Sequence, residues 1–252
     1  MKYVIAALQF IFDPSNWFGA NGVTTRLGEH LWYSLLGLVL AALIAIPLGL
    51  FVGHTGCGRE AAVAVSGALR AMPSLGLLTF LAVSFGFGLR LAIIPATIVL
   101  AILAVPPLLA NTYAGVEAID PDVIDGARST GFAEGQIVSR VELPLAAPMI
   151  VGGIRSATLQ VISTATVSAY LGLGGLGRYI LDGLPIRDYA LMLAGALLVM
   201  ALALVADGLL ALVQRAVLTR GVRAATGRTR RSDRRRAPHP AAPSTDPVGA
   251  KP

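Results

Sequence analysis

Long apolar runs, largely unbroken by charge, alternate along the chain with short polar stretches. A bilayer core about 30 Å thick needs roughly 20 apolar residues at about 1.5 Å each in a helix. Five runs approach that length: residues 31–52, 61–87, 91–113, 149–171 and 189–213. The first ends in Gly53-His54-Thr55-Gly56-Cys57-Gly58-Arg59; the second contains Arg70 and the break Met72-Pro73-Ser74; the third contains Pro95 and Pro106-Pro107. Apolar residues occupy every face of these segments rather than one stripe, the pattern of spans and not of a soluble bundle. Residues 3–12 are too short to cross. With one Lys before them and no small-residue cleavage site, they are expected to lie at the interface, with Trp17 and Phe18 near the headgroups. The expected fold is therefore all-α, a polytopic membrane protein of about five spans.

Composition agrees. Of 252 residues 55% are hydrophobic and 13% charged, and the mean hydropathy of +0.73 excludes a water-soluble globule. The net charge of +6 is unevenly placed: residues 215–252 hold 10 of the 20 Lys/Arg and 2 of the 14 Asp/Glu, so residues 1–214 are slightly acidic. Three regions follow: an interfacial segment at 1–29, a membrane body at 30–214 and a basic tail at 215–252. The tail has little apolar surface to bury and is expected to be disordered. It is either attracted to anionic lipid, at about 1 kcal/mol per basic residue near the surface, or a topogenic extension. Nucleic-acid binding lacks the aromatic interleaving it needs. A basic flank after the last span places the C-terminus in the cytoplasm. Five spans then put the N-terminus outside, the loop at Cys57 inside, 85–90 outside, 117–148 inside and 172–188 outside.

Several chemistries are excluded or weakened. A P-loop ends in Lys followed by Ser or Thr, but the only lysines, Lys2 and Lys251, precede Tyr3 and Pro252. This chain therefore binds no ATP through such a loop, and an ATP-driven process needs a separate ATPase. One cysteine, Cys57, and three scattered histidines offer no metal site. The run Gly172-Leu-Gly174-Gly175-Leu-Gly177 satisfies the dinucleotide pattern, but an apolar span precedes it and no acid stands near position 197. Its glycines are expected to let backbone pack on backbone in a tight outer loop. Asp207 in the fifth run is either a proton relay, as an ion-coupled carrier would require, or a structural polar contact. Arg70 is either an intramembrane charge or part of a cytoplasmic extension. No Ser/His or His/Asp/Glu constellation suggests a membrane enzyme.

The longest charged stretch of the body is 117–142. Pro121-Asp122 marks a helix start, 125–129 a short helix, Gly131 its end, and 132–141 a second helix stopping before Pro144. Such a helix–Gly–helix elbow is a protruding knob suited to docking. The stretch resembles the EAA loop of ABC importer permeases, whose pattern is E-A-A, three residues, G, nine residues, I, one residue, L-P. Asp125, Gly126 and Ala127 take the first triplet, Gly131 the glycine, Val141 the apolar position, Leu143 and Pro144 the ending. The spacing matches throughout; Asp for Glu and Gly126 for Ala depart from it, and glycine inside a helix costs about 1 kcal/mol. His30-Leu-Trp-Tyr-Ser34, Met72-Pro-Ser-Leu-Gly-Leu-Leu78, Asn111-Thr-Tyr-Ala-Gly115, Gly153-Ile-Arg155 and the glycine run further resemble the osmoprotectant branch of these permeases.

That resemblance implies a type I importer transmembrane domain in the bacterial cytoplasmic membrane, working as a homo- or heterodimeric permease pair. It implies two ATPase subunits that bind ATP and magnesium and each receive an elbow, and an extracytoplasmic binding protein that delivers a betaine-, choline- or carnitine-type solute. The same machine for methionine or another amino acid is the nearest alternative. Quaternary ammonium groups favour aromatic faces, and among the few aromatics of the membrane body Tyr113 and Tyr170 are the candidates. Ser163, Thr164, Thr166 and Ser168 either line a polar path or serve helix packing.

Overall fold

The computed structural model describes residues 1–85 and 91–217, and among them every regular element is helical. The loop expected at 85–90 falls almost wholly outside the described residues, as does the basic tail from 218 on.

Helix α1 (Lys2–Phe12) is followed by α2 (Val23–Thr55), which runs across the expected 29/30 boundary and stops where Gly56 turns left-handed at φ +69°. Helices α3 (Arg59–Ala71) and α4 (Ser74–Ser84) meet at 89°. The cause is Pro73, which has no N–H to donate and drives the preceding Met72 into extended backbone, ψ 128°. Helix α5 (Ile93–Glu117) continues through Pro106-Pro107. Beyond α6 (Pro121–Ser129) and α7 (Glu134–Ile137), a π-turn at Val138–Glu142 leads straight into α8 (Leu143–Ser168). Helix α9 (Gly177–Ile186) and α10 (Tyr189–Val217) complete the described chain.

Four helical stretches are long and apolar enough to cross alone, and the bent α3–α4 pair makes a fifth crossing if taken as one span. Packing supports the fifth. Gly37, Gly49 and Gly53 of α2 lie against Leu100, Thr112 and Val116 of α5, so closely that a Cβ on any of them would sit 2.5 to 2.7 Å from the neighbour's side chain. The constant offset means that α2 and α5 run parallel. The chain must then return from Thr55 to Ile93 in between, and α3–α4 is the segment that does so: Arg59 pairs with Glu117 at one end of α5, while Leu78 packs with Ala96 and Val99 at the other.

Gly115 faces Ala146 and Met149, and Gly153 faces Asn111, so α8 runs antiparallel to α5; Arg155–Asp207 and Gln214–Pro148 contacts set α10 antiparallel to α8. The ends of α2, α5 and α10 and the start of α8 therefore share one side. The core between α2, α5 and α8 is built of Ala41, Ala45, Leu100, Ala104, Leu108, Ala157, Val161 and Ala165. Small residues allow the close approach that membrane helices need, since lipid tails offer no hydrophobic penalty to drive them together. Leu43, Phe51, Phe80, Val83, Leu204 and Leu212 remain outward-facing and exposed, the expected lipid surface. Helix α1 packs on α10, with Tyr3 edge-on to Tyr189.

Candidate functional site

The elbow forms at the shared end of α2, α5, α8 and α10. Asp120 caps α6 by accepting from the N–H of Asp122, and Pro121 occupies the first turn, where a missing N–H is harmless. The helix ends at Gly131, φ +87°, a conformation that a side chain would strain. Helix α7 begins only at Glu134, with the Gln136 side chain accepting from the N–H of Ala133.

Contrary to expectation, the second arm does not stop before Pro144. It passes through the π-turn, where the N–H of Leu143 reaches the carbonyl of Val138, and becomes α8 without a break. Proline inside an α-helix loses one bond and clashes with the carbonyl four residues back; widening the preceding turn relieves the clash. Leu143 and Pro144 thus join elbow to span, with Val141 in the π-turn between them. Asp125, Gly126 and Ala127 lie in α6, and a Cβ at Gly126 would meet nothing within 4 Å.

Four side chains that pattern matching passes over hold the elbow. Arg128 donates to both oxygens of Glu134, at 2.8 and 3.1 Å, and to Asp125 at 3.3 Å, bridging the glycine turn. Those hydrogen bonds, led by Glu134, keep its guanidinium charged still more firmly than usual. His54, at the end of α2, lies 2.8 Å from Glu142 and 3.1 Å from Glu134, tying both arms to a neighbouring span. Their signal was present only as charge at unremarkable positions, 88 residues apart for His54 and Glu142.

The expected path residues divide. Ser163 and Tyr170 are exposed and share a stripe with Ser156 and Gln160, at spacings of four, three and seven. Thr164 and Ser168 are buried, with Thr164 accepting from Gln160, and Thr166 bonds back to the carbonyl of Ser163. Tyr113 packs against the α2–α5–α8 core. The polar stripe could have been found from the period of Ser156, Gln160 and Ser163 in an otherwise apolar run.

Beside that stripe lies a cavity of about 480 Å³ lined by Arg70, Leu103, Pro107, Asn111, Ser156 and Gln160. Leu103 and Pro107 stand near the middle of α5, so Arg70 lines this cavity at the mid-length of that helix and not at an end of the bundle. Asp207 receives two hydrogen bonds from Arg155, 2.5 and 2.6 Å long. It is a structural contact between α8 and α10.

At the opposite end the glycine run wraps the start of α2. Gly175 donates to Glu29 at 2.7 Å, Gly174 leaves no room for a Cβ beside that carboxylate, and Gly177 presses on the Thr166 backbone. Backbone-on-backbone contact therefore holds at Gly177, whereas Gly174 and Gly175 make room for Glu29 and for His30, which is fully buried with Nε2 3.0 Å from the Ile162 carbonyl. Tyr179 bonds to the Asn21 carbonyl at the same end.

Known proteins resemble this chain over most of its length. Residues 45–219 match the family model described as binding-protein-dependent transport system inner membrane component. The chain is 34% identical to the glycine betaine/carnitine/choline transport system permease protein OpuCB of Bacillus subtilis (strain 168), covering 78% of this chain and 89% of that one. It is 33% identical to the osmoprotectant import permease protein OsmW of Salmonella typhimurium, covering 77% and 91%. Among solved structures, a chain of the inward-facing MetNI methionine ABC transporter superposes with a TM-score of 0.66 at 22% identity, over 79% of this chain and 96% of that one. That likeness is one of fold.

Proposed function

The chain belongs to the family of binding-protein-dependent transport system inner membrane components, and we propose that it is the permease subunit of an ATP-driven importer of quaternary-amine osmoprotectants such as glycine betaine, carnitine or choline. It is a multi-pass protein of the cytoplasmic membrane, and permeases of this family work with ATPase subunits.

The observation that carries the reading is the exposed α6–Gly131–α7 elbow. It stands at the end where α2, α5, α8 and α10 meet, and it is continuous with α8 through the π-turn. A push on the elbow therefore moves α8 directly, and moves α2 through His54. Two separate ATPase subunits, closing on ATP, would each seat one elbow and rock a pair of permease subunits between outward and inward access. Asp125, Gly126 and Ala127 present the docking face, Gly131 sets its angle, and Val141, Leu143 and Pro144 pass the motion on. An extracytoplasmic binding protein would deliver the solute at the end formed by the glycine run and the start of α2. The stripe Ser156, Gln160, Ser163 and Tyr170 would face the pathway, while Thr164, Thr166, Ser168 and Tyr113 support it from behind. The elbow and the C-terminal end of α10 share a side, which agrees with a cytoplasmic C-terminus and an external N-terminus.

Cells expressing this chain with its ATPase, binding protein and any second permease should take up labelled glycine betaine. Gly131→Leu, strained at φ +87° and placed where the elbow turns, should reduce uptake at least tenfold while the protein still reaches the membrane. Unchanged uptake would remove the coupling role. Uptake of methionine with no uptake of any quaternary amine would overturn the solute and leave the permease.

A further inference from the structure

Arg70 is the one charged residue lining the cavity beside the middle of α5, and among the described residues it has no hydrogen bond and no ion pair. Guanidinium does not lose its proton in a protein, and a charged side chain at the bilayer centre is expensive unless something answers it. Among the described residues the chain supplies no answer. Asn111 donates its amide N–H to the Pro107 carbonyl at 2.8 Å and keeps its own oxygen, Ser156 offers a hydroxyl, and Gln160 is engaged with Thr164 at 3.3 Å. All are uncharged. The acid of the neighbouring cavity, Asp207, is already taken at both oxygens by Arg155. Among the described residues no acid answers Arg70, which is exposed to the cavity and open to a negative charge from outside the chain.

We propose that this cavity is a carboxylate-binding subsite of the transport pathway, in which Arg70 grips the acid end of a zwitterionic solute and so distinguishes betaine- and carnitine-type solutes from choline-type cations. The proposal rests on the osmoprotectant reading above and adds the part of the solute that the membrane subunit recognises. A guanidinium fork matches a carboxylate with two parallel hydrogen bonds. The volume of about 480 Å³ lies within the range of small-molecule sites, about 300 to 1,000 Å³. The walls explain why the acid and not the ammonium is the recognised end: Leu103 and Pro107 present apolar surface to methyl groups, and no aromatic ring lines the cavity to hold a cation by its face. Choline has the same methylated nitrogen but no carboxylate, so it gains nothing from Arg70.

The test uses the whole transporter, with its ATPase and binding protein, in proteoliposomes. Glycine betaine and choline uptake are compared at saturating loaded binding protein. Because the same binding protein serves wild type and variant, its preference cancels when the betaine-to-choline ratio of one is divided by that of the other. Arg70→Gln should lower that ratio about tenfold, as expected for loss of a charge-assisted pair, and Arg70→Lys should restore part of it by returning the charge without the fork. Continued choline uptake shows that the variant is assembled. Equal loss of both solutes would mean that Arg70 serves assembly or pairs with a carboxylate of the partner permease, and unchanged uptake of both would mean that it pairs with nothing transported; either overturns the subsite. Wild-type uptake of choline without betaine or carnitine also overturns it while leaving the osmoprotectant reading intact. Wild-type uptake of none of the three overturns both.

Discussion

Arg128 shows how a single side chain can brace the angle of an exposed elbow. It spans the Gly131 turn from α6 to Glu134 at the start of α7, and both partners are exposed. Exposed pairs add little to stability, so their effect belongs to elbow geometry and not to folding. Arg128→Glu should lower uptake several-fold with little change in the amount of protein in the membrane, and the exchanged pair Arg128→Glu with Glu134→Arg should recover much of it. If the exchange recovers nothing, Arg128 touches the ATPase directly. The EAA spacing pointed to the short helix at Asp125 and the turn at Gly131 because both depend on local order in the chain. It could not locate His54, which meets Glu142 only after α2 and the π-turn have packed.

Among the helices, the pairing of α8 with α10 depends on charge as much as on shape. α10 contributes only Ala194 and Gly195 to the buried set, and Arg155–Asp207 holds it to α8 together with the Gln214–Pro148 contact. An ion pair in an apolar setting is most damaging when only one half is removed, because the other charge is left unanswered. Asp207→Asn and Arg155→Ala should each reduce the monodisperse, heat-resistant fraction of purified protein, and the double variant should be milder than either. Sensitivity confined to transport, with normal stability, would instead return Asp207 to the role of an ion relay. The apolar run at 61–87 predicted one span, and the structure broke it at 89°. Met72-Pro73 marked that position in the sequence; the angle depends on what α3 and α4 pack against. The second elbow helix went the other way, since Pro144 reads as a stop but the widened turn before it accommodates the ring.

Taken together, the parallel course of α2 and α5 requires a crossing between them, and the shared end of α2, α5, α8 and α10 puts Cys57 on the same side as the elbow. Cys57 is exposed and the only thiol. It should react with an impermeant maleimide only after the cells are permeabilised; labelling of intact cells would invert the proposed orientation and place the elbow outside, where no ATPase can reach it.

Apolar run lengths determined from the sequence alone that the chain crosses a membrane, because hydrocarbon thickness fixes how many residues a helix needs. The missing Walker lysine and the EAA spacing were equally legible, since each depends on residues adjacent or nearly adjacent in the chain. Tertiary structure decided the rest. Which hydroxyls of α8 face outward, that Asp207 is paired with Arg155 and that Arg70 lines a cavity with no partner among the described residues depend on how the helices rotate and bend against one another, through contacts tens of residues apart.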